Sequence, residues 1–300
     1  MRKKKFIYAA LALMTLGFTS CQQEDDFTAQ GGNDEIRVSF TTDAIQTRVN
    51  TLDTGDVWEV GDQVKIEKTV GSTTEYYTYT AASVAENGYT TWTPDKKLYW
   101  DGDEEHILAA FYPVAEQSEY SIFNLPHDQS TEEKLKSADC MNAVWIGKPT
   151  TDAIHFQMKH RLSMVTIKYE FASEFTDATI ISPRVKAIAP IVWFNVDGGE
   201  MMEPIGNFIT DIHAYTIDNK TIQAIVIPCT YPQGQLFMEM EISDNYETLK
   251  VNMPEAKTLK EGTHYIFDLK IGKNKVELTP TGTNQDFPGG WNNDSEENLN

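Results

Sequence analysis

The sequence predicts an all-β protein built from two tandem antiparallel β-sandwich domains. Apolar and polar residues alternate with period two along many short segments from Ile36 onward, and clusters of Gly, Asn, Asp and Pro separate those segments. Helical periodicity is scarce. Short strands joined by turns favour antiparallel sandwiches over a parallel sheet with crossover helices. The chain has 300 residues, more than most single domains, which favours two separate cores.

The N-terminus carries an export segment. Residues 2–5 are basic and residues 6–18 form an apolar run, which is too short to cross a hydrocarbon core of ~30 Å as a helix. We therefore predict a removed signal peptide over residues 1–20. Cys21 follows two small residues at the end of this run, and the arrangement resembles the lipobox of bacterial lipoproteins, in which the thiol is lipidated. The resemblance implies a lipid anchor on Cys21; the alternative is an ordinary signal peptide followed by a chance cysteine.

Residues 21–35 are predicted to form a flexible tether, because they are polar, rich in glycine and without periodicity. Their first part, Gln22–Asp26, resembles the surface-export signal of Bacteroidetes lipoproteins. That resemblance implies a location on the outer face of the outer membrane. The alternative is a solvated tether that carries no signal.

Charge narrows the choice of partners. The formal net charge is −20, and removal of the signal peptide, which carries four basic and no acidic residues, makes it −24. Nucleic acid and anionic lipid surfaces are therefore poor partners for the mature chain.

The cysteines do not predict a disulfide framework. With Cys21 lipidated, Cys140 and Cys229 remain, so at most one disulfide could form. We predict two buried free thiols.

Period-two alternation marks the strands in chain order, in these segments: Ile36–Phe40, Val64–Ile66, Tyr77–Tyr79, Ile107–Phe111, Ile154–Met158, Val165–Tyr169, Leu236–Ile242, Leu249–Met253 and Tyr265–Ile271. We place the first sandwich at residues 36–153, the second at 154–279, and a polar, acidic tail at 280–300. Between Ile154 and Phe171 the apolar residues move from even to odd positions. A bulge, or a strand that leaves one sheet for another, would account for this change.

Local signals predict one helix and two hairpins. Ser130 and Glu133 form a Ser-x-x-Glu capping box that opens a helix of one or two turns, ending near Ala138. Residues 217–220 and 271–276 place turn-forming residues between apolar ones, which predicts a hairpin at each.

Catalytic and metal-binding motifs are absent from the sequence. The six histidines form no His-Glu-x-x-His pair, and there is no Cys-x-x-Cys, no Gly-x-Ser-x-Gly and no phosphate-binding glycine loop. His160 and Arg161 are adjacent, but a lone histidine on a core strand is more often a hydrogen-bonded structural residue. We predict no enzyme activity, no metal and no cofactor.

Aromatic residues suggest a different kind of site. Trp92, Tyr99 and Trp100 flank a Pro-Asp-Lys-Lys turn and could stack on sugar rings. The alternative is that they pack into the core of the first sandwich, which aromatic side chains do more often than they bind a ligand.

Several segments together resemble the fimbrillin family of Bacteroidetes fimbrial lipoproteins, and their order along the chain carries the resemblance. These segments are Val57–Ile66, Trp92–Pro94 ahead of Leu98–Trp100, His106–Pro113, Phe156–Val165, Ile227–Pro228 and Glu261–Leu269. The resemblance extends from the lipobox to about Leu278.

The family resemblance implies two transthyretin-like sandwiches and a fimbrial subunit (pilin, anchor or tip) that assembles with other fimbrial subunits by donor-strand exchange. It also implies ligands on host or bacterial surfaces. In the family, a trypsin-like protease cuts after an arginine near the first strand, and Arg48, followed by Val49, matches that position. The alternative for Arg48 is a plain edge or loop arginine. Two features depart from the family pattern: Cys140 stands where an apolar residue is usual, and the acidic tail after Trp291 is a poor donor strand.

Overall fold

The computed structural model describes residues 35–42, 58–86, 88–114, 122–173, 175, 178–188, 191–193, 209–243, 248–272, 275–280 and 292–293. Within these ranges the regular structure consists of strands and one short helix, which confirms the all-β prediction. No helix in the described ranges is long and apolar enough to span a membrane. The predicted signal peptide and nearly all of the predicted tether lie outside them.

Strands are numbered along the chain. The first group is β1 (Val38–Thr42), β2 (Gln63–Val70), β3 (Thr73–Val84), β4 (Thr90–Pro94), β5 (His106–Tyr112), β6 (Ile122–Asn124), helix α1 (Glu132–Ser137), β7 (Met141–Gly147) and β8 (Ile154–His160). The second group is β9 (Ser163–Phe171), β10 (Ile180–Ile188), β11 (Ile191–Trp193), β12 (Ile209–His213), β13 (Tyr215–Asp218), β14 (Thr221–Val226), β15 (Thr230–Tyr231), β16 (Leu236–Ile242), β17 (Thr248–Asn252), β18 (Lys257–Thr258), β19 (Thr263–Gly272), β20 (Lys275–Pro280) and β21 (Asn292–Asn293).

Seven strands of the first group, all except β6, form one sheet in the order β1-β8-β7-β5-β2-β3-β4. Apolar and polar residues alternate along its strands, and successive side chains of a strand point to opposite faces, so the apolar side chains share one face of the sheet. The rings of Phe40 in β1 and Trp92 in β4 lie 4.8 Å apart between centroids, so the two edge strands approach each other and the sheet is curled. The enclosed side chains form the first core: Ile36, Phe40, Trp58, Val64, Ile66, Tyr77, Tyr79, Leu98, Leu108, Ala110, Tyr112, Met141, Ile154, Phe156 and Met158.

The second group forms two larger sheets, one of order β12-β10-β16-β17 and one of order β13-β14-β9-β19-β20, with β21 beside β19. The pairs β11-β6 and β15-β18 form two further, two-stranded sheets. Inward-facing residues of both larger sheets share a second core, whose fully buried members include Val165, Ile167, Val185, Ile212, Ile222, Tyr231, Phe237, Met240, Phe267 and Leu269. Two facing sheets around one apolar layer are the arrangement of a β-sandwich.

Most strand pairs are antiparallel, but three are parallel. β1 pairs with β8, β9 with β19, and β19 with β21 in the same direction. In the first two of these pairs the partners are far apart in sequence, and the alternation of apolar residues does not predict which distant strands become neighbours.

The change of apolar phase near residue 161 is explained by a change of sheet. β8 belongs to the seven-stranded sheet and β9 to the sheet of the second core, with only Arg161 and Leu162 between them. The side chains of β8 contribute to the first core. β8 thus pairs within the seven-stranded sheet, although the predicted boundary assigns it to the second sandwich. The division into two domains stays a prediction.

The segment between β5 and β7 packs on the second core although it starts and ends in the first sheet. Phe123, Leu125 and Leu135 are buried among second-core residues. The fully buried side chain of Gln129 accepts a hydrogen bond from the backbone N–H of Ile225 at 2.8 Å and donates one to its carbonyl at 2.9 Å. The side-chain amide therefore occupies the place that a neighbouring strand would take beside Ile225.

The predicted turns are confirmed, and the predicted helix needs one correction. β13 and β14 form the first hairpin, and β19 and β20 the second. The helix begins one residue later than its predicted capping box: Thr131 is the N-cap, and its hydroxyl accepts from the N–H of Lys134 at 3.3 Å. Ser130 is not the cap because its N–H and hydroxyl both donate to Asp128.

Cys140 and Cys229 are both free thiols, as predicted, but the prediction that both are buried holds for Cys140 and is wrong for Cys229. Cys140 is buried and Cys229 is partly buried, and burial raises the pKa of the Cys140 thiol well above its ordinary value. A thiol in that state is inert towards oxidation and exchange.

Candidate functional site: the first strand and its seat

Strand β1 lies at one edge of the seven-stranded sheet and, among the described strands, pairs with β8 alone. The register runs from Val38 opposite Ile154 to Thr42 opposite Met158. On the N-terminal side, the N–H of Ile36 donates to the carbonyl of Leu98 at 2.8 Å. β1 is also the first described strand of the chain. Because it lies at the edge of the sheet, it can be removed with less disruption of the other strands than a central strand would cause.

Phe40 is the side chain by which β1 completes the first core. Its ring is 3% exposed. It stacks on Phe156 at a centroid distance of 5.5 Å and meets Tyr79 and Trp92 edge-on at 5.6 and 4.8 Å. We call β8 together with Trp58, Tyr79, Trp92 and Phe156 the β1 seat.

Two tryptophans of the seat differ in their hydrogen bonding. The indole N–H of Trp58 donates to the backbone carbonyl of Phe40 at 3.2 Å. The indole nitrogen of Trp92 is also buried, but among the described residues it has no hydrogen-bond partner. Their rings meet edge-on at 5.1 Å. Trp58 therefore contacts the backbone of β1 directly, and it packs against Trp92, which in turn packs against the ring of Phe40.

Polar contacts of β1 and of the residue just before it are exposed. Arg37 donates to the carbonyl of Thr151 at 2.6 Å, and the hydroxyl of Ser39 lies 2.5 Å from Nδ1 of His155. Exposed polar contacts of this kind contribute little net stability. Burial of Ile36 and Phe40 is therefore the main force that holds the strand in its seat.

The predicted sugar-stacking residues do not form one exposed platform. Trp92 packs against Phe40 in the first core. Trp100 is partly buried, with its indole N–H donating to the carbonyl of Thr150 at 3.1 Å. Tyr99 is the exposed member of the three, at 43%. Trp92 therefore packs in the core, as the alternative to sugar stacking expected, whereas Tyr99 remains accessible to a ligand.

A buried lysine supports the turn that carries Tyr99. The side chain of Lys68 is 2% exposed, and its Nζ lies 2.6 Å from Asp101, 2.8 Å from Glu75 and 3.2 Å from the carbonyl of Tyr99. Burial alone would lower the pKa of Lys68, but the hydrogen bonds to Asp101 and Glu75 raise it by more, so the amine stays protonated. The cluster fixes the position of the turn beside strands β2 and β3.

The His160 and Arg161 pair is engaged in structural contacts. Nδ1 of His160 lies 2.7 Å from Asp139, and Arg161 donates to Asn142 and Glu261. Because Asn142 belongs to β7 and Glu261 precedes β19, the arginine joins the two sheet systems at the point where the chain crosses between them.

Other site predictions are not placed by the structure. Cys21, Arg48 and Val49 lie outside the described residues. Within those residues, no group of three or more His, Cys, Asp or Glu side chains is arranged to hold a metal ion. The role of Trp58 was missed from the sequence, since no local pattern connects an indole with the backbone of a strand on the far side of residues 43–57.

The fold and the β1 seat define a multi-sheet, all-β sandwich protein whose first strand closes the margin of its first sheet. The sequence matches the model of the fimbrillin-like family over residues 47–285. That match covers well over half of the chain, and the chain belongs to this family.

Solved structures share the fold. A candidate cell adhesion protein from Bacteroides uniformis is 21% identical, with a TM-score of 0.62 and coverage of 84% of this chain and 98% of that chain. A second, from Bacteroides ovatus, is 17% identical at TM-score 0.59, covering 82% and 95%. A third, from Bacteroides fragilis, is 11% identical at TM-score 0.55, covering 84% and 98%. A search of curated proteins finds no match.

Proposed function

We propose that this chain is a structural or adhesive subunit of cell-surface fimbriae, a pilin, anchor or tip, and that it assembles with other fimbrial subunits by exchange of strands at the β1 seat. The observation that carries the proposal is that β1 is a marginal strand whose buried side chains complete the first core. Membership of the fimbrillin-like family supports the fimbrial role.

Loss of β1 would leave a site suited to another strand. The backbone edge of β8 would lose its partner, and the rings of Tyr79, Trp92 and Phe156 would lose the ring of Phe40. Unpaired backbone groups beside an apolar slot are the conditions for β-strand addition, in which main-chain hydrogen bonds provide affinity and side-chain pockets provide specificity. Left empty, the same edge would promote aggregation.

Release of β1 requires a cut between the strand and the rest of the sheet. Residues 43–57 connect β1 to the segment that begins at Trp58, and Arg48 lies within them. Cleavage after Arg48 by a trypsin-like protease would separate residues 21–48 from the chain while leaving the sheet hydrogen bonds intact. The freed strand would then be held by noncovalent contacts alone, and a strand from a neighbouring subunit could replace it.

The N-terminal part of the proposal concerns attachment. We propose that Cys21 carries lipid that anchors the uncleaved protein in the outer membrane, facing the medium. Palmitate labelling combined with protease shaving of intact cells tests this: label should be lost in Cys21→Ala, and shaving should remove the protein without lysis. Label that persists in the variant, or protein that resists shaving until the cells are lysed, would contradict the anchor.

Assembly itself is tested by mutation of the cleavage site. In fibres made by wild-type cells, N-terminal sequencing of the subunit should begin at Val49, and Arg48→Ala should prevent fibre formation in electron micrographs. Arg37→Ala is the control, because it removes the arginine immediately before β1, outside the cleavage site. Fibres that form normally from Arg48→Ala, with subunits that retain β1, would show an uncleaved subunit instead.

A second function is favoured by the exposure of Tyr99: recognition of glycans on host or bacterial surfaces. Tyr99 and Trp100 lie on a turn that the Lys68 cluster fixes, which would hold an accessible ring in place for sugar stacking. A glycan array should show binding by the wild type that Tyr99→Ala and Trp100→Ala reduce. Equal binding by all three proteins would remove these residues from any adhesive role.

A further inference from the structure

The environment of residue 40 is more selective than the rest of the β1 seat. Phe40 is the buried position of β1, and Ile36, two residues before the strand, is buried as well; Val38 is half-buried and Thr41 is exposed. Three aromatic rings surround Phe40, and a fourth, Trp58, hydrogen-bonds to its carbonyl. A slot lined by rings on several sides accepts a flat ring of matching size better than an aliphatic or small side chain.

The direction of the strand is also specified. β1 runs parallel to β8, and the carbonyl bonded by Trp58 lies at the same residue as the buried ring. A strand that entered in the opposite direction would present its carbonyls and side chains in a different register, since the hydrogen-bond patterns of parallel and antiparallel pairs differ. Ring and carbonyl together therefore define one orientation.

We infer that the β1 seat selects its incoming strand by an aromatic residue at the position of Phe40. The occupant is a segment of a neighbouring fimbrial subunit that runs parallel to β8 and carries apolar residues at the Ile36 and Val38 positions and a ring at the Phe40 position. Trp58, Tyr79, Trp92 and Phe156 are the specificity-determining residues. This inference rests on the proposed strand exchange, and it adds the chemistry that distinguishes an accepted strand from a rejected one.

A peptide-exchange experiment on the full chain tests the inference. A site for a specific protease is inserted within residues 43–57, and the folded protein is cut so that β1 stays bound without a covalent link. Dye-labelled peptides then compete for the seat, with binding followed by fluorescence anisotropy. The probes are the sequence of residues 35–42, the same peptide with Phe40→Ala, and a control peptide with Thr41→Ala, which alters an exposed position.

The wild-type and Thr41→Ala peptides should enter the cut protein with similar affinity, and the Phe40→Ala peptide should bind more weakly by at least about a hundredfold. Uncut protein should bind none of them. Equal binding of all three peptides to the cut protein would overturn the selectivity while leaving strand exchange intact. No binding of any peptide, with the cut protein still folded by circular dichroism, would overturn both the selectivity and the proposed exchange.

Discussion

Replacing Phe40 with alanine should weaken the fold by about 3–5 kcal/mol, the usual cost of removing a buried phenylalanine side chain. The ring is 3% exposed and contacts three other rings. An aromatic side chain buries about 150–250 Å², which at about 25 cal/mol per Å² corresponds to about 4–6 kcal/mol, so the two estimates agree. Against a typical total of about 5–15 kcal/mol, this loss is large.

The position of β1 at the margin of the sheet decides how the loss appears. A marginal strand can detach while the remaining strands stay folded, so part of the destabilisation should appear as local opening. Urea unfolding followed by tryptophan fluorescence measures the global loss, and amide hydrogen exchange of Val38–Thr42 measures the local one. In the variant, exchange of these amides should accelerate more than exchange of β9.

Two control variants bracket the effect. Thr41→Ala changes an exposed side chain and should cost less than about 0.5 kcal/mol, whereas Phe40→Leu keeps an apolar side chain and should cost about 1–2 kcal/mol. A loss below about 1 kcal/mol for Phe40→Ala would refute the argument, because it would mean that the ring does not fill the first core.

Three further variants probe single groups. Trp58→Phe should cost about 1–2 kcal/mol more in urea unfolding than Trp92→Phe, because only the Trp58 N–H has an acceptor among the described residues; equal costs would remove that hydrogen bond from the account. Gln129→Leu should cost about 2–4 kcal/mol in thermal or urea unfolding, since it leaves both backbone groups of a β14 residue unpaired, and a neutral effect would contradict the assigned role. Burial lowers the pKa of His264 from 6.5 to about 4, so between these pH values the unfolded chain binds a proton that the folded chain does not. Stability should therefore fall by about 3 kcal/mol as pH drops through that window, and His264→Gln should flatten the profile relative to exposed His127→Gln; identical profiles would contradict burial of the neutral ring.

Local features of the fold could be predicted because they depend on neighbouring residues. Alternation identified nine of the strands but missed others, including β7 and β10. Turn residues identified the hairpin between β13 and β14, and the change of phase near residue 161 marked the crossing between sheets. Distant pairing could not be predicted. The parallel contact of β1 with β8 joins Val38 to Ile154, and the period of two specifies which face of each strand is buried, not which strand lies beside it.

The candidate site was predicted only in part, for a similar reason. Trp92 was recognised as an aromatic residue that could bind a sugar or fill the core, and the choice depended on Phe40, which is brought beside it by the curl of the sheet.

Helix capping shows the same limit at short range. Ser130 and Thr131 were both suitable caps by type, and the competing bond from Ser130 to Asp128 decided between them.

The central claim is that β1 must leave its seat for the subunit to assemble. Ser39 and His155 are Cα partners on adjacent strands. Neighbouring strands lie about 4.8 Å apart, which is within the Cα separation that a disulfide requires, so cysteines at both positions should tie β1 to β8. The single variants Ser39→Cys and His155→Cys are the controls.

The most direct measurement is fibre formation by the double variant, Ser39→Cys with His155→Cys. Sedimentation and electron microscopy detect the fibres, with and without reductant. The account predicts that the oxidised double variant stays unassembled even after cleavage following Arg48, that reductant restores fibres, and that both single variants assemble in either condition. Fibres formed equally well by the oxidised, crosslinked protein would contradict exchange at the β1 seat.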